Sequence, residues 1–187
     1  MQKSERRLLK ASWLRLLGDI PFTHEITFNF GVTLSMQTAS EKMEAFCKRL
    51  ERRSFGKKWH QKTDGRLTLI AFPENVDTNT HFHGMAKLSR RVERVLARNG
   101  STVWSELTPR GQLHAGPLKN IDAANNYFTK QLRTNDRLDW VYLYVGSRGF
   151  CRRFEGKDST RARKSLLPDQ SFHPNNHLLA TVRKSTR

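Results

Sequence analysis

The chain has 187 residues, with 34 Lys and Arg against 17 Asp and Glu, a formal net charge of +17 and a pI of about 10.7. This length corresponds to one domain with appendages. A hydrophobic fraction of 36%, with 11 Phe and 4 Trp, argues against a chain disordered throughout. So much positive charge on a folded domain favours a polyanionic partner, above all nucleic acid.

Several classes of protein are disfavoured by motifs that the sequence lacks. No segment approaches the roughly 18 apolar residues of a membrane span, and the residues after Met1 do not form a signal-peptide core. Cys47 and Cys151 are too few for a disulfide framework and too far apart in sequence for the spacing of a cysteine-pair zinc site. No phosphate-binding loop of an ATP motor occurs. We therefore expect a cytoplasmic protein without a membrane partner.

The first third of the chain predicts a helix, a strand and a second helix. Apolar residues recur every three to four positions over residues 4–17, before Gly18, which is typical of an amphipathic helix. Residues 26–33 alternate between apolar and polar side chains, as a half-buried strand does. Ser40 is then expected to open a helix whose apolar stripe consists of Met43, Phe46, Cys47 and Leu50.

The middle of the chain predicts a β-hairpin. Turn residues at 63–65 precede a strand over 67–72 that ends at Pro73 and Glu74. A polar turn over 75–79 then leads into an alternating segment, 80–86.

The second half predicts shorter elements. A basic helix over 89–98 is expected to end at Asn99 and Gly100. Short strands are predicted at 103–104 and 113–115, a helix over 122–133 capped by Asp122, and a strand over 140–145. We expect the strand residues Trp140, Tyr142 and Tyr144 to share one face and to belong to the core rather than to a base-stacking platform.

This order of elements predicts an α+β fold, an antiparallel sheet with flanking helices close to a ferredoxin-like sandwich. Periodicity is lost after Gly146, and residues 151–187 hold nine basic and three acidic residues. We therefore predict a folded domain over 1–150, including an N-terminal helix within 1–20, and a basic, solvated tail over 151–187.

Two histidines on a predicted strand are candidate metal ligands. His81 and His83 are two residues apart, so their imidazoles leave the same face of the strand. Glu74, near the end of the neighbouring hairpin strand, would complete a site with two nitrogen ligands and one oxygen ligand, leaving positions open for water and phosphate oxygens. Asp77 in the turn competes with Glu74, and two solvent-facing histidines are the plainer interpretation of the pair.

A tyrosine and a lysine on a later predicted helix are candidates for nucleophilic catalysis. Tyr127 and Lys130 are three residues apart and therefore share a helix face. A phenol ionises near pH 10, so a nucleophilic tyrosine needs a nearby cation or metal. Lys130 would supply that charge or contact a phosphate. The alternative is a half-buried tyrosine beside a solvated lysine.

Taken together, three motifs resemble those of the HUH endonuclease superfamily. They are Thr27-Phe28-Asn29-Phe30 on the first strand, His81-Phe82-His83 on a central strand, and Tyr127-Phe128-Thr129-Lys130 on a helix. Their order, with the histidines before a single tyrosine, is similar to that of single-tyrosine rolling-circle replication initiators of plasmids, phages and single-stranded DNA viruses. Relaxases have the reverse order. Single-tyrosine transposases share the order and stay an alternative.

The resemblance implies a fold, an activity and a cofactor. It implies the ferredoxin-like HUH fold and nicking of single-stranded or stem-loop origin DNA through a 5′-phosphotyrosine on Tyr127, assisted by Lys130. His81, His83 and Glu74 would hold Mg²⁺ or Mn²⁺. Because no ATPase accompanies these motifs, a host helicase and polymerase are implied as partners. A non-catalytic nucleic-acid-binding module on the same fold is the alternative from another class.

Basic residues on two predicted helices are candidates for phosphate contacts. We expect DNA binding from Arg90, Arg91, Arg94, Arg98, Lys48, Arg49, Arg52, Arg53, Lys57 and Lys58. Solvated helix faces are the alternative for at least some of them.

Overall fold

The computed structural model describes residues 11–12, 14–15, 17–75, 77–120, 124 and 141–146, together with the backbone of 150–153. Within these ranges lie six strands and two long helices. The strands are β1 (His24–Asn29), β2 (Thr68–Glu74), β3 (His81–Lys87), β4 (Gln112–Pro117), β5 (Tyr142–Val145) and β6 (Phe150–Arg153). The helices are α1 (Met36–Phe55) and α2 (Arg90–Leu107), and a short 3₁₀ helix spans Trp59–Gln61. The described residues between 11 and 18 are helical, as predicted.

The strands form one antiparallel sheet in the order β4-β1-β3-β2-β5-β6. The first four strands and the two helices follow the chain order βαββαβ, and the strand order β4-β1-β3-β2 is that of a ferredoxin-like fold. The predicted fold class, α+β with an antiparallel sheet and flanking helices, is therefore confirmed. β5 and β6 extend the sheet beyond β2, and the predicted domain boundary at residue 150 falls inside β6.

Strand alternation gives the sheet two different faces. One face packs against α1 and α2, and its main core contains Phe28, Phe30, Phe46 and Trp104 in edge-to-face contacts. The opposite face carries a smaller apolar cluster that includes Leu17, Phe22, Ile70, Phe72, Met85 and Val141. The rest of that opposite face is polar.

Two predicted helix boundaries were wrong. α1 begins at Met36, not at Ser40, because the Ser35 side chain accepts a hydrogen bond from the Thr38 backbone N–H at 3.1 Å and caps the helix there. Ser40 lies inside the helix and is buried.

α2 runs through Gly100 to Leu107, so the predicted stop at Gly100 and the predicted strand at 103–104 were also wrong. Gly100 is buried, and a Cβ there would lie 3.2 Å from Leu113 Cδ2. Trp104 is fully buried, and its indole N–H donates to the Asn29 carbonyl at 3.0 Å. Burial of these residues against the sheet outweighs the local preference of Asn-Gly for a helix end.

A buried ion pair joins α1 to the sheet. Glu51 on α1 is fully buried and forms a salt bridge with Arg66. The same carboxylate accepts hydrogen bonds from the Leu67 backbone N–H at 3.0 Å and from the Tyr144 hydroxyl at 2.6 Å. Burial raises the pKa of Tyr144, so its hydroxyl stays protonated.

Candidate metal centre

Glu74, His81 and His83 come together on the polar face of the sheet. Glu74 and His81 are direct cross-strand partners at the ends of β2 and β3, whereas His83 is paired with Phe72. Glu74 Oε2 lies 3.1 Å from His81 Nε2 and 2.9 Å from His83 Nε2. The imidazole ring centroids are 5.0 Å apart. One carboxylate oxygen and two ring nitrogens therefore point into the same small volume.

Hydrogen bonds to the other ring nitrogens orient both imidazoles. His81 Nδ1 lies 2.9 Å from the Asn79 carbonyl oxygen. Since a carbonyl oxygen only accepts, Nδ1–H donates to it. This bond turns Nε2 towards Glu74, so that Nε2 is the ligand atom of the neutral ring. His83 Nδ1 lies 3.0 Å from the Thr27 hydroxyl on β1. A hydroxyl can accept from Nδ1–H in the same way, which also leaves Nε2 as the ligand atom.

The surroundings of His83 favour the form of histidine that binds metals. Burial lowers the pKa of His83 and outweighs the neighbouring Glu74 carboxylate, which acts in the opposite direction. A neutral imidazole is the ligand form of histidine. All three side chains are partly exposed, so solvent and a ligand can reach them.

The three side chains form a site that can bind a metal ion. One ligand atom from each residue lies within 4.8 Å of the others. Two imidazoles and a carboxylate suit a divalent cation and leave coordination positions open on the solvent side. Asp77 is not part of this cluster. Of the two carboxylates considered as the third ligand, it is therefore Glu74 that joins the histidines within the described ranges.

Tyr127 and Lys130 lie outside the described residues. Ala124, three positions before Tyr127, is described and helical, and its backbone N–H donates to the Asn120 carbonyl at 3.1 Å. Ala124 packs against the smaller apolar cluster, on the face of the sheet opposite α1 and α2. It also lines a solvent-open cavity with Glu25, Thr27, His83, His114 and Lys119.

The other two tyrosines of the chain belong to the core. Tyr142 and Tyr144 are both buried between the sheet and the helices, as predicted, and Tyr144 donates to Glu51. Neither hydroxyl can meet a substrate on the polar face without opening the core. Trp140, which was predicted to share their face, lies outside the described residues.

The predicted phosphate-binding residues lie in the helical layer, on the other side of the sheet from the triad. Several have partners there: Lys48 lies within ion-pair distance of Glu44, and Arg49 and Arg53 pair with Glu106 at 3.0 and 3.4 Å. The Arg91 guanidinium lies 5.7 Å from the centre of the Phe55 ring. The fold therefore does not bring these cations and the metal ligands to one surface.

Thr27 was identified from the sequence only as part of a motif, and His114 was not identified as a site residue. Thr27 pairs with His83 on one side and with His114 on the other, so all three side chains lie in one row across β3, β1 and β4. The alternation of β1 indicates that Thr27 faces away from the main core. No local signal reveals which residues it faces, because strand order and register are not local properties.

Comparison with known proteins gives no relative: no protein-family model, no curated protein and no solved structure matches this chain. None of the helices in the described ranges is long and apolar enough to cross a membrane.

Proposed function

We propose that this protein is a metal-dependent endonuclease and strand transferase of the HUH type that acts on single-stranded or stem-loop DNA and initiates rolling-circle replication. The main support for the proposal is that Glu74, His81 and His83 bring three ligand atoms together. Glu74 Oε2 lies 2.9 Å from His83 Nε2 and 3.1 Å from His81 Nε2. A cation at this position would be Mg²⁺ or Mn²⁺, which when bound polarises a phosphate and neutralises charge on its oxygens.

Tyr127 is the proposed nucleophile. The chain has three tyrosines, and the two in the described ranges are buried in the core. Ala124 lies on the face of the sheet that bears the triad. Three residues of chain span at most about 11 Å, so Tyr127 Cα cannot be farther than that from Ala124 Cα. This connectivity supports a nucleophile that approaches the triad from the polar face.

The proposed step exchanges one phosphodiester for another. Tyr127 Oη loses its proton to solvent and forms a bond to the scissile phosphorus, while the bond from phosphorus to the 3′ oxygen breaks. The 3′ oxygen takes up a proton and leaves as a free hydroxyl, and the 5′ end stays attached to Tyr127. Lys130 would contribute positive charge beside the phosphate. Because the ester bond is conserved in the covalent link, the reverse reaction rejoins the strand without ATP.

The test is formation of a covalent adduct. Labelled single-stranded oligonucleotides, including stem-loops, are incubated with the protein and Mn²⁺ and separated on a denaturing gel. We expect a slower-migrating adduct that is absent with EDTA and absent for Tyr127→Phe, whereas the control Tyr142→Phe, provided it folds, retains the adduct. Salt-sensitive binding without an adduct across varied sequences would instead support the non-catalytic binding module.

The same assay separates an initiator from a transposase. An initiator is expected to cleave a stem-loop from a replication origin, and a single-tyrosine transposase the end of a mobile element. A sequenced nick from plasmid or phage DNA identifies the substrate class. Replication from such a nick would also require a helicase and a polymerase, which we propose the host supplies.

A further inference from the structure

One end of the helical layer carries a cluster of cations far from the triad. Three segments meet there: the end of α1, the connector after it and the start of α2. Arg91 on α2 lies over the Phe55 ring of α1, and Gly65 in the connector is so close to Ser89 that a Cβ added to the glycine would lie 3.3 Å from Ser89 Cβ. We call this surface the basic end, and it consists of six exposed residues, Arg52, Lys57, Lys58, Lys62, Arg90 and Arg91.

The part of the fold that the structure describes does not neutralise the cations of the basic end. Within the described ranges, no carboxylate lies within ion-pair distance of any of the six. Two of the nearby acids have other partners: Glu51 is buried with Arg66, and Glu93 lies 3.7 Å from His24. Asp64 is the single acid in the connector between α1 and β2. So many uncompensated charges on one surface repel one another and favour a polyanion.

The basic end and the metal centre cannot contact the same short stretch of nucleic acid. The triad lies where β2 ends and β3 begins, whereas the connector of the basic end leads into the start of β2. Thr68 and Glu74 are six positions apart along β2, which corresponds to about 20 Å. The sheet also lies between them, because the triad is on the face away from α1 and α2.

The two aromatic rings at the basic end are each covered by an arginine guanidinium. The Arg66 guanidinium lies 5.0 Å from the centre of the Trp59 ring, and Arg91 covers Phe55. Proteins that hold single strands combine cations with aromatic rings on which bases stack. Because an arginine covers each ring, these rings are not available for base stacking. The surface instead presents cations on a helix end and a connector, an arrangement that suits the sugar-phosphate backbone of a duplex.

We infer that the basic end is a second nucleic-acid-binding surface that holds the phosphate backbone of double-stranded nucleic acid, separately from the metal centre. The inference goes beyond the proposed nicking activity and does not depend on it. Its expected properties are binding without a metal ion, little dependence on base sequence and strong dependence on salt.

The experiment measures binding of the full chain to a blunt 20-base-pair DNA duplex in EDTA at several salt concentrations. The test variant is Lys57→Gln/Lys58→Gln/Arg90→Gln. The matched control is Arg15→Gln/Arg110→Gln/Lys119→Gln, which removes the same charge from exposed positions outside the basic end. We expect the test variant to reduce the slope of log affinity against log salt by about 2.7, and the control to change it by less than about one.

Three results would overturn the inference: no duplex binding by the unmodified chain, equal losses in the two triple variants, or a test variant that loses affinity for a single strand of equal length but keeps its affinity for the duplex. Because EDTA removes any divalent metal ion, failure of the nicking assay does not affect this readout. Circular dichroism of both variants shows that a loss of binding is not a loss of fold.

Discussion

His83 Nε2 lies 2.9 Å from Glu74 Oε2, closer than the 3.1 Å of His81 Nε2, although His81 and not His83 is the direct cross-strand partner of Glu74. The contact is diagonal across the β2–β3 pair. Long side chains at diagonal positions of an antiparallel strand pair can contact each other. On the β1 side, the Thr27 hydroxyl is hydrogen-bonded to the His83 ring. The triad therefore depends on three strands, since β1 supplies Thr27.

Removal of a metal ligand should weaken metal binding strongly but leave nucleic-acid binding largely unchanged. For His81→Ala, His83→Ala and Glu74→Gln we expect the affinity for Mn²⁺ to fall by more than about 100-fold, because each alanine removes a ligand nitrogen and the glutamine replaces a charged carboxylate ligand with a neutral amide. Affinity for single-stranded DNA at low salt should change little, since it depends mainly on phosphate electrostatics. Calorimetric titration with Mn²⁺ and a filter-binding assay measure the two quantities.

His114→Ala is the matched control, because His114 is an exposed histidine on the same face but outside the cluster. It should retain Mn²⁺ affinity. Unchanged affinity in both His81→Ala and His83→Ala would show that the triad does not bind metal, and loss of fold in both would make the histidines structural.

Thr27 is a positioning residue for His83. Thr27→Val keeps a β-branched side chain on β1 but removes the hydroxyl that bonds to Nδ1. We expect Mn²⁺ affinity to fall by about 10- to 100-fold, the usual effect of losing a hydrogen bond that orients a ligand. Thr27→Ser restores the hydroxyl and should recover most of the affinity. If valine and serine behave alike, the hydroxyl does not orient His83.

The buried carboxylate of Glu51 is expected to stabilise the fold strongly. Glu51→Ala leaves the Arg66 guanidinium buried without its counter-charge and leaves the Leu67 N–H and the Tyr144 hydroxyl without their acceptor. We expect the free energy of unfolding to fall by about 3–5 kcal/mol. Urea denaturation measures the change.

Glu44→Ala is the comparison variant, because it removes the acid of a solvent-accessible ion pair between Glu44 and Lys48 on the same helix. The expected loss there is below about 1 kcal/mol. Equal losses in Glu44→Ala and Glu51→Ala would contradict the central role of the buried network.

Tyr144 should make the protein less stable in alkali. Burial raises its pKa in the folded state, whereas in the unfolded chain it is near 10. Below pH 10 both states keep the proton, so stability does not depend on this group there. Above pH 10 the unfolded state loses the proton and the folded state retains it, so stability falls as pH rises, by about 1.4 kcal/mol per pH unit.

Tyr144→Phe removes this titration. Its free energy of unfolding should fall less steeply between pH 10 and 11.5 than that of the unmodified protein, even though its stability at pH 8 is lower because a hydrogen bond to Glu51 is lost. Urea denaturation at a series of pH values gives both slopes. Parallel slopes would mean that Tyr144 ionises as readily in the folded protein as in the unfolded chain.

The α+β class and most elements could be predicted because they depend on local patterns. Alternation located the strands of the β2–β3 hairpin, and apolar spacing located α1 and the beginning of α2. The continuation of α2 through Gly100 could not be predicted, since it depends on the burial of Trp104 against β1. β6 was overlooked because a four-residue strand at the sheet edge has too short a pattern.

That His81 and His83 leave one face of a strand follows directly from their spacing, because side chains two apart in a strand always do. It takes the folded chain to show that Glu74 joins them rather than Asp77, that Thr27 supports His83, and that the basic helices lie in the opposite layer. The difference arises because alternation is a property of a single strand. Strand register and the side of the sheet that a helix covers arise only when distant segments bury their apolar faces against one another.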